Sequence, residues 1–167
     1  MKFQNQILIH ASTHEVFVFV ADMCNIPCWN YFVSDVVQTK GDTPALGAQY
    51  HQVRQTDQQD YVITQYDEDR AVTVKTLPGY MPTFERQITF ESTPDGTLIV
   101  DQWQISTRYP SFLERLAVGR IRNAVAQNLG KLKELLEDGQ TRLQDGWVVR
   151  LSATPGQDKP DCSRSTG

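Results

Sequence analysis

Six short segments of alternating apolar and polar residues follow one another between residues 33 and 108, and they limit the possible folds more than any other feature of the chain. Turn-forming residues separate them, for example Pro94, Asp95 and Gly96 before the last segment. Alternation with a period of two turns one face of a strand toward a core and the other toward water. The pattern therefore predicts an antiparallel meander with strands at residues 33–40, 48–55, 60–67, 71–77, 83–92 and 97–108.

A further strand and a short, broken helix are predicted before the meander. Residues 3–10 alternate and are rich in Ile and Leu, as in a strand. Ser12 and Glu15 have the spacing of a capping box, so we expect a helix to begin there. Pro27 cannot continue a regular helix, and we expect the helix to break before Trp29.

The chain after the meander predicts one long amphipathic helix from about Ser111 to Asp138. Ser111 and Glu114 repeat the capping-box spacing, and Gly139 follows the last turn. A helix of this length is about 40 Å long and can cross a whole sheet. Apolar residues recur at intervals of three and four and form one stripe: Leu113, Ala117, Ile121, Val125, Leu129, Leu132 and Leu136.

This order of elements predicts one α+β domain over residues 1–139. A curved seven-stranded antiparallel sheet would wrap the long helix and leave a cavity between them. The length of 167 residues fits one domain with a terminal extension. Residues 140–167 form that extension, and we expect it to be largely disordered beyond about residue 152 because it is polar and rich in Pro, Gly and Ser.

Composition and charge exclude several classes of function. The 16 Lys and Arg residues against 20 Asp and Glu residues give a net charge of −4, which argues against nucleic acid as a partner. The three cysteines and three histidines form no metal-ligand or disulfide pattern, and no Gly-rich phosphate loop or nucleophile–base–acid set is present. The first ten residues carry too little charge and too short an apolar run for a signal peptide. We therefore expect a cytoplasmic protein that needs no metal and no cofactor.

Several short motifs occur together along these predicted elements. Residues 9–17 (IHASTHEVF) place an Ala at the end of a strand, before a capped helix with a Val-Phe pair, and residues 20–29 (VADMCNIPCW) place an Asp and then a Trp around the helical break. Gly47, residues 63–67 (ITQYD) and residues 96–97 (GT) are further matches. Over about residues 2–139 the chain resembles the START-like SRPBCC superfamily, particularly its polyketide cyclase/dehydrase-like branch. The resemblance implies a helix-grip fold of the START/Bet v type, whose cavity holds a hydrophobic ligand.

Arg86 is the most unusual residue of the meander because it lies on the otherwise apolar inner face of its strand. If residues 93–96 form the hairpin loop, Arg86 lies across from Trp103 and diagonally from Asp101. Two interpretations remain open. Arg86 either anchors a ligand carboxylate, phenolate or ketone, or forms a structural ion pair with Asp101 while Trp103 stacks on its guanidinium.

The other candidate ligand-binding residues would surround the same cavity. The resemblance places Trp29 at one end of it, where the side chain either lines the ligand site or fills the core. Tyr61 turns inward only if the strand register is as predicted. With Arg86, the predicted ligand-binding residues are Trp29, Tyr61, Ile63, Val74, Phe84, Ile88, Asp101 and Trp103.

Two functions could use this cavity. The leading hypothesis is a protein that binds a small hydrophobic or aromatic ligand, such as a lipid, a polyketide or a quinone-like molecule. The alternative is an enzyme of the polyketide cyclase, aromatase or dehydratase type whose catalytic residues are unknown. A third class is an interaction module for a protein partner.

Charged residues beside the stripe of the long helix indicate a solvated face, with peripheral contact to an anionic lipid membrane as the alternative: Arg115, Arg120, Arg122, Lys131 and Lys133.

Overall fold

One long helix packs against a seven-stranded antiparallel sheet in the computed structural model of the protein, which describes residues 1–152 and 161–166. The strands lie in the order β1-β7-β6-β5-β4-β3-β2, so the first strand pairs with the last. The predicted helix-grip architecture is confirmed. The strands are β1 (Lys2–Ile9), β2 (Val33–Lys40), β3 (Gln49–Arg54), β4 (Gln58–Asp67), β5 (Ala71–Thr76), β6 (Thr83–Thr93) and β7 (Gly96–Ser106).

The segment between β1 and β2 forms a short helix and then a 3₁₀ helix. Helix α1 (Thr13–Ala21) begins at the predicted capping box: the Ser12 hydroxyl accepts a hydrogen bond from the Glu15 amide, and the Glu15 carboxylate accepts one from the Ser12 amide. The 3₁₀ helix Met23–Cys28 contains Pro27, as the predicted break requires.

The cysteines of the 3₁₀ helix differ in state. Cys24 is exposed and carries a thiol, whereas Cys28 is buried and disulfide-bonded. The expectation that the cysteines form no disulfide is therefore wrong for Cys28. Spacing along the chain does not reveal a bond between segments that only the fold brings together.

Helix α2 (Ser111–Asp138) has the predicted length but a different beginning. Pro110 occupies the N-cap position and makes no side-chain cap hydrogen bond. Instead, the Glu114 carboxylate accepts a hydrogen bond of 2.6 Å from the Thr107 hydroxyl, which lies before the helix. The prediction of a second capping box was therefore wrong. The Glu114 carboxylate, which was expected to bind the N-cap amide, binds the Thr107 hydroxyl instead. Gly139 ends the helix in the left-handed region at a φ of 72°.

The C-terminal extension forms a small second sheet. Its strands are β8 (Gln140–Arg142), β9 (Trp147–Ser152) and β10 (Asp161–Thr166), in the order β10-β9-β8. The disorder expected beyond about residue 152 is wrong for residues 161–166, because the backbone of a polar segment can pair with the free edge of β9 without apolar side chains. Residues 153–160 and 167 lie outside the described residues.

The hydrophobic core is densest at one end of the sheet. There α1 and the second half of α2 cover the inner face, and Phe17 contacts the ring of Phe90 edge-on, with centroids 5.2 Å apart. The deepest core side chains of these helices are Val16, Phe17, Phe19, Leu129, Leu132 and Leu135, each at most 2% exposed. The first half of α2 has no such set among the described side chains, and the cavity lies on that side.

Candidate functional site

A cavity of about 390 Å³ lies between the inner face of the sheet and α2. Its sheet wall includes Tyr61, Val74, Phe84, Arg86 and Trp103, which project from β4 to β7. The helix contributes Ile121, Ala124, Val125 and Asn128. This volume is in the range typical of small-molecule sites, and most of the wall is apolar.

The cavity reaches one end of the sheet, which we call the mouth end. At this end β3, β5 and β7 finish and β2, β4 and β6 begin, and α2 starts shortly after β7. The β3–β4 hairpin contributes Arg54 to Asp57 to the cavity wall, and the β5–β6 loop contributes Pro82. Loops therefore form the rim, while strands position the deeper polar groups.

Arg86 and Asp101 form a buried, two-point ion pair in the wall. Arg86 Nε donates to Asp101 Oδ1 at 2.8 Å and Nη2 donates to Oδ2 at 3.0 Å, while the residues are 5% and 0% exposed. The β6–β7 hairpin sets this geometry by pairing Arg86 directly with Trp103 and Ile88 with Asp101. Mutual neutralisation and paired hydrogen bonds allow both charges to be buried.

Two tryptophans hold the guanidinium of Arg86 in place. Its central carbon lies 4.8 Å from the ring centroid of Trp103 and 5.4 Å from that of Trp29. Trp103 also donates from Nε1 to Asp101 Oδ2 at 3.0 Å. The carboxylate thus receives three hydrogen bonds, and Arg86 keeps Nη1 without a partner among the described residues.

Three buried polar groups have no hydrogen-bond partner within the described structure: the Trp29 indole N–H and the hydroxyls of Tyr50 and Tyr61. The rings of Tyr50 and Tyr61 are stacked, with centroids 5.6 Å apart. Burial raises the pKa of Tyr61 well above its ordinary value and also raises that of Tyr50, so both hydroxyls stay protonated at neutral pH. An unsatisfied buried hydroxyl costs about 1–3 kcal/mol, and among these three groups only that of Tyr61 belongs to a residue of the cavity wall.

A second polar group lies at the rim. Arg54 donates from Nε and Nη2 to the two carboxylate oxygens of Asp57 at 2.6 and 2.8 Å. In its better amide orientation, the side-chain oxygen of Gln59 accepts from the same guanidinium at 2.6 Å. The ion pair of Arg54 and Asp57 joins the two ends of the β3–β4 turn at the mouth and carries no net charge.

The predicted ligand-binding residues fall into two groups. Tyr61, Val74, Phe84, Arg86 and Trp103 lie on the cavity wall. The others are buried but are not wall residues: Trp29, Ile63, Ile88 and Asp101. Ile63 and Ile88 lie two residues further along their strands, away from the mouth, whereas Trp29 and Asp101 support Arg86 from its sides.

Sequence reasoning missed the helix and rim residues of the wall. Ile121 and Val125 belong to the apolar stripe of α2 and could have been found by asking which part of the stripe faces the open side of the sheet. Gln52 and Arg54 share a face of β3 with the buried Tyr50, so the alternation of this strand could have placed them on the inner face.

Polar groups outside the cavity form a separate cluster on the outer face of the sheet. Asp60 accepts a hydrogen bond of 2.7 Å from the Tyr80 hydroxyl and lies 2.6 Å from His51 Nδ1. These two contacts lower the pKa of Asp60. Within the described residues there is no group of three His, Cys, Asp or Glu side chains that could hold a metal ion.

The fold and the mostly apolar cavity, which opens at the mouth end, define a helix-grip protein. The chain belongs to the family described as polyketide cyclase / dehydrase and lipid transport, whose model matches residues 1–137. A comparison with curated proteins gave no match. No helix among the described residues is both long and apolar enough to cross a membrane.

Solved structures show the same fold at low sequence identity. A Thermus thermophilus protein is 14% identical with a TM-score of 0.66 over 81% of this chain and 97% of that one. A Mesorhizobium loti protein is 15% identical with a TM-score of 0.65 over 83% and 98%. The Aha1 dimer of Colwellia psychrerythraea, a solution structure, is 16% identical with a TM-score of 0.64 over 82% and 96%.

Proposed function

We propose that the protein binds a small hydrophobic or aromatic ligand in the cavity between sheet and helix and recognises an acceptor oxygen on it. The observation that carries the proposal is a pair of donors that belong to two wall residues. Arg86 has a free Nη1 although Asp101 binds its other side, and the nearby Tyr61 hydroxyl is buried without a partner. The Arg86 guanidinium can only donate hydrogen bonds, and the Tyr61 hydroxyl has no acceptor. Both groups therefore favour a ligand with a carbonyl, carboxylate or phenolate oxygen at this position.

Binding is better supported than catalysis of the cyclase, aromatase or dehydratase type. Such an enzyme needs an acid or base beside its substrate. Among the wall residues that the structure describes, Asp57 is the one carboxylate and is bound by Arg54, and no histidine is present. The raised pKa of Tyr61 makes its hydroxyl a hydrogen-bond donor rather than an acid at neutral pH.

The test compares two tyrosines that are equally buried. Tyr61→Phe removes the hydroxyl of a wall residue, and Tyr50→Phe removes that of a stacked neighbour that is not a wall residue. Neither change breaks a hydrogen bond within the described structure, so neither should lower the free energy of unfolding. We expect Tyr61→Phe to weaken binding of the fluorescent aromatic sulfonate 1-anilinonaphthalene-8-sulfonate about tenfold and Tyr50→Phe to leave it unchanged. Equal effects of the two variants, or none, would contradict the proposal.

A second pair of variants separates the anchoring role of Arg86 from its structural role. Arg86→Met alone leaves the Asp101 carboxylate buried with Trp103 as its main donor and should cost about 3–5 kcal/mol of stability. The double variant Arg86→Met/Asp101→Leu removes both charges and should recover most of that loss. If Arg86 anchors the ligand, the double variant folds but still binds the probe at least tenfold more weakly. Native mass spectrometry of the purified protein would identify a ligand that co-purifies.

A further inference from the structure

Exposed apolar side chains cluster where α2 begins, at the mouth end of the sheet. Tyr109 and Phe112 are 69% and 62% exposed, and Leu113 is 41% exposed. Met81 in the β5–β6 loop, at the same end, is also 41% exposed. Aromatic and aliphatic side chains left in water next to one another typically mark a contact surface.

The same segment carries positive charge on a protein whose net charge is −4. Residues 107–123 contain four arginines and one glutamate: Arg108, Arg115, Arg120, Arg122 and Glu114. The four arginines are exposed. Glu114 is occupied, because its carboxylate accepts from Thr107 and lies 3.8 Å from the N-terminal amine of Met1.

The arrangement along the helix combines both properties on the solvent side of α2. At 3.6 residues per turn, Phe112 points about 180° away from the cavity residue Ile121, and Arg115 and Arg122 lie about 60–80° from Phe112 on one side of it. Arginines therefore flank the exposed Phe112 instead of pairing with carboxylates. Interleaved aromatic residues and arginines on the outside of a helix are typical of segments that lie in the interface of an anionic lipid bilayer.

We propose that the mouth end of the protein docks on anionic lipid membranes through residues 108–122 and Met81. Phe112, Leu113 and Met81 enter the headgroup region, and the arginines contact lipid phosphates. The charge distribution favours this occupant over a nucleic acid, since polyanion binding uses the arginines but does not bury Phe and Leu side chains. The same charge distribution orients the molecule. The arginines face the anionic bilayer, and the rest of the chain, which is negatively charged, faces away from it.

Docking in this orientation has a consequence for the cavity, which rests on the function proposed above. The β5–β6 loop carries both Met81 and the wall residue Pro82, so the cavity rim faces the bilayer. A hydrophobic ligand could then pass between membrane and cavity without crossing bulk water, which costs about 0.8 kcal/mol per exposed CH₂ group. Docking itself does not require that any ligand is bound.

The test uses the full chain and vesicles of phosphatidylcholine with or without phosphatidylglycerol, separated by flotation. We expect binding to the vesicles that contain phosphatidylglycerol and its loss when salt rises from about 0.1 M to about 1 M. Arg115→Gln/Arg122→Gln should weaken binding about 25-fold, at roughly fivefold for each arginine. Phe112→Ser should weaken it about tenfold or more.

Matched controls lie at the opposite end of the sheet. Arg70→Gln/Arg142→Gln removes the same charge, and Leu46→Ser removes a side chain that is 69% exposed. Both control variants should bind vesicles like the unchanged protein. Equal losses for the control and test variants, or no binding to anionic vesicles, would overturn the proposal. Self-association that Phe112→Ser abolishes, without vesicle binding, would assign the surface to protein contact instead. Probe binding by the same variants reports separately on the cavity.

Discussion

The two halves of α2 have the same secondary structure but opposite environments. In residues 125–138, Leu129, Leu132 and Leu135 are at most 2% exposed. In residues 111–124, Phe112 and Leu113 are largely exposed, and Ile121 and Ala124 face a cavity rather than packed side chains. The second half therefore supplies the helix's packed core side chains, while the first half, together with Val125 and Asn128 at the start of the second, borders the site.

The charged residues follow the same division. Lys131 pairs with Glu134 and Lys133 with Glu137 in the second half, and Lys133 Nζ also donates to the Leu8 carbonyl of β1 at 2.5 Å. The first half has arginines without carboxylate partners among the described residues. Stability and binding are thus assigned to different turns of a single element, and substitutions in the two halves should have different effects.

The largest expected difference concerns apolar side chains. Leu132→Ala removes a fully buried side chain and should lower the free energy of unfolding by about 2–5 kcal/mol. Leu113→Ala makes the same chemical change at a side chain that is 41% exposed and should cost less than about 1 kcal/mol. Urea denaturation of both variants measures the difference. Similar losses would show that the first half is packed as firmly as the second.

A smaller difference concerns Glu137, which lies where α2 meets the end of β1. Desolvation raises the pKa of this carboxyl, but hydrogen bonds from the His10 amide and from Lys133 outweigh it and bring the pKa from 4.5 to about 2. A carboxyl whose pKa is lower in the folded state stabilises the fold above about pH 4.5 and loses that contribution as the pH falls toward 2.

We therefore expect Glu137→Gln to lower the free energy of unfolding by about 1 kcal/mol at pH 7. Its difference from the unchanged protein should shrink below pH 4. Glu114→Gln is the control in the first half of the helix. Its carboxylate accepts one hydroxyl hydrogen bond, and its ion pair with the Met1 amine is longer, at 3.8 Å, than the 2.9 Å pair of Glu137 with Lys133, so we expect a smaller change. Urea midpoints at pH 7 and pH 3 measure both variants. A difference for Glu137→Gln that does not depend on pH would disprove the electrostatic explanation.

The smallest effects are expected at two glycines within the helix. A Cβ atom added at Gly119 or Gly130 meets nothing within 4 Å, so alanine fits at both positions. Each Gly→Ala change should raise stability by about 0.5–1 kcal/mol through helix propensity alone. Thermal unfolding would detect this as a rise in Tm. A clearly smaller rise for Gly119 than for Gly130 would indicate that the first half of α2 frays in solution.

Local patterns were sufficient to predict most of the fold. Strand boundaries were correct to within about two residues because alternation and turn residues act over a few positions. The Ser12 cap was correct for the same reason. The cap at Ser111 was wrong because Thr107 binds Glu114, and β10 was missed because its pairing depends on an edge that β9 provides. Both errors arise from contacts that the local sequence does not encode.

The positions of site residues were predictable only where a single hairpin fixes which residues face each other. Arg86, Asp101 and Trp103 could be placed together because the turn at residues 93–96 fixes the register of β6 and β7. The contact between Arg86 and Trp29 joins segments more than fifty residues apart. The unsatisfied hydroxyls of Tyr50 and Tyr61 are likewise products of packing between strands, and no sequence pattern reports whether a buried hydroxyl finds a partner.

The pairing of β1 with β7 also determines when the chain can fold during synthesis. Lys2 lies opposite Gln104, and the amine of Met1 donates to the Ile105 carbonyl at 2.6 Å. Strand β1 must therefore wait, once it has left the ribosome, for about a hundred further residues, which takes about 5–20 s at ordinary elongation rates. During that interval β1 has an unpaired edge, and its closure onto β7 joins the most distant parts of the sequence. Contacts of such long range make folding slow. The sheet therefore closes late in synthesis, and α2, whose second half covers β1, can dock only after that closure.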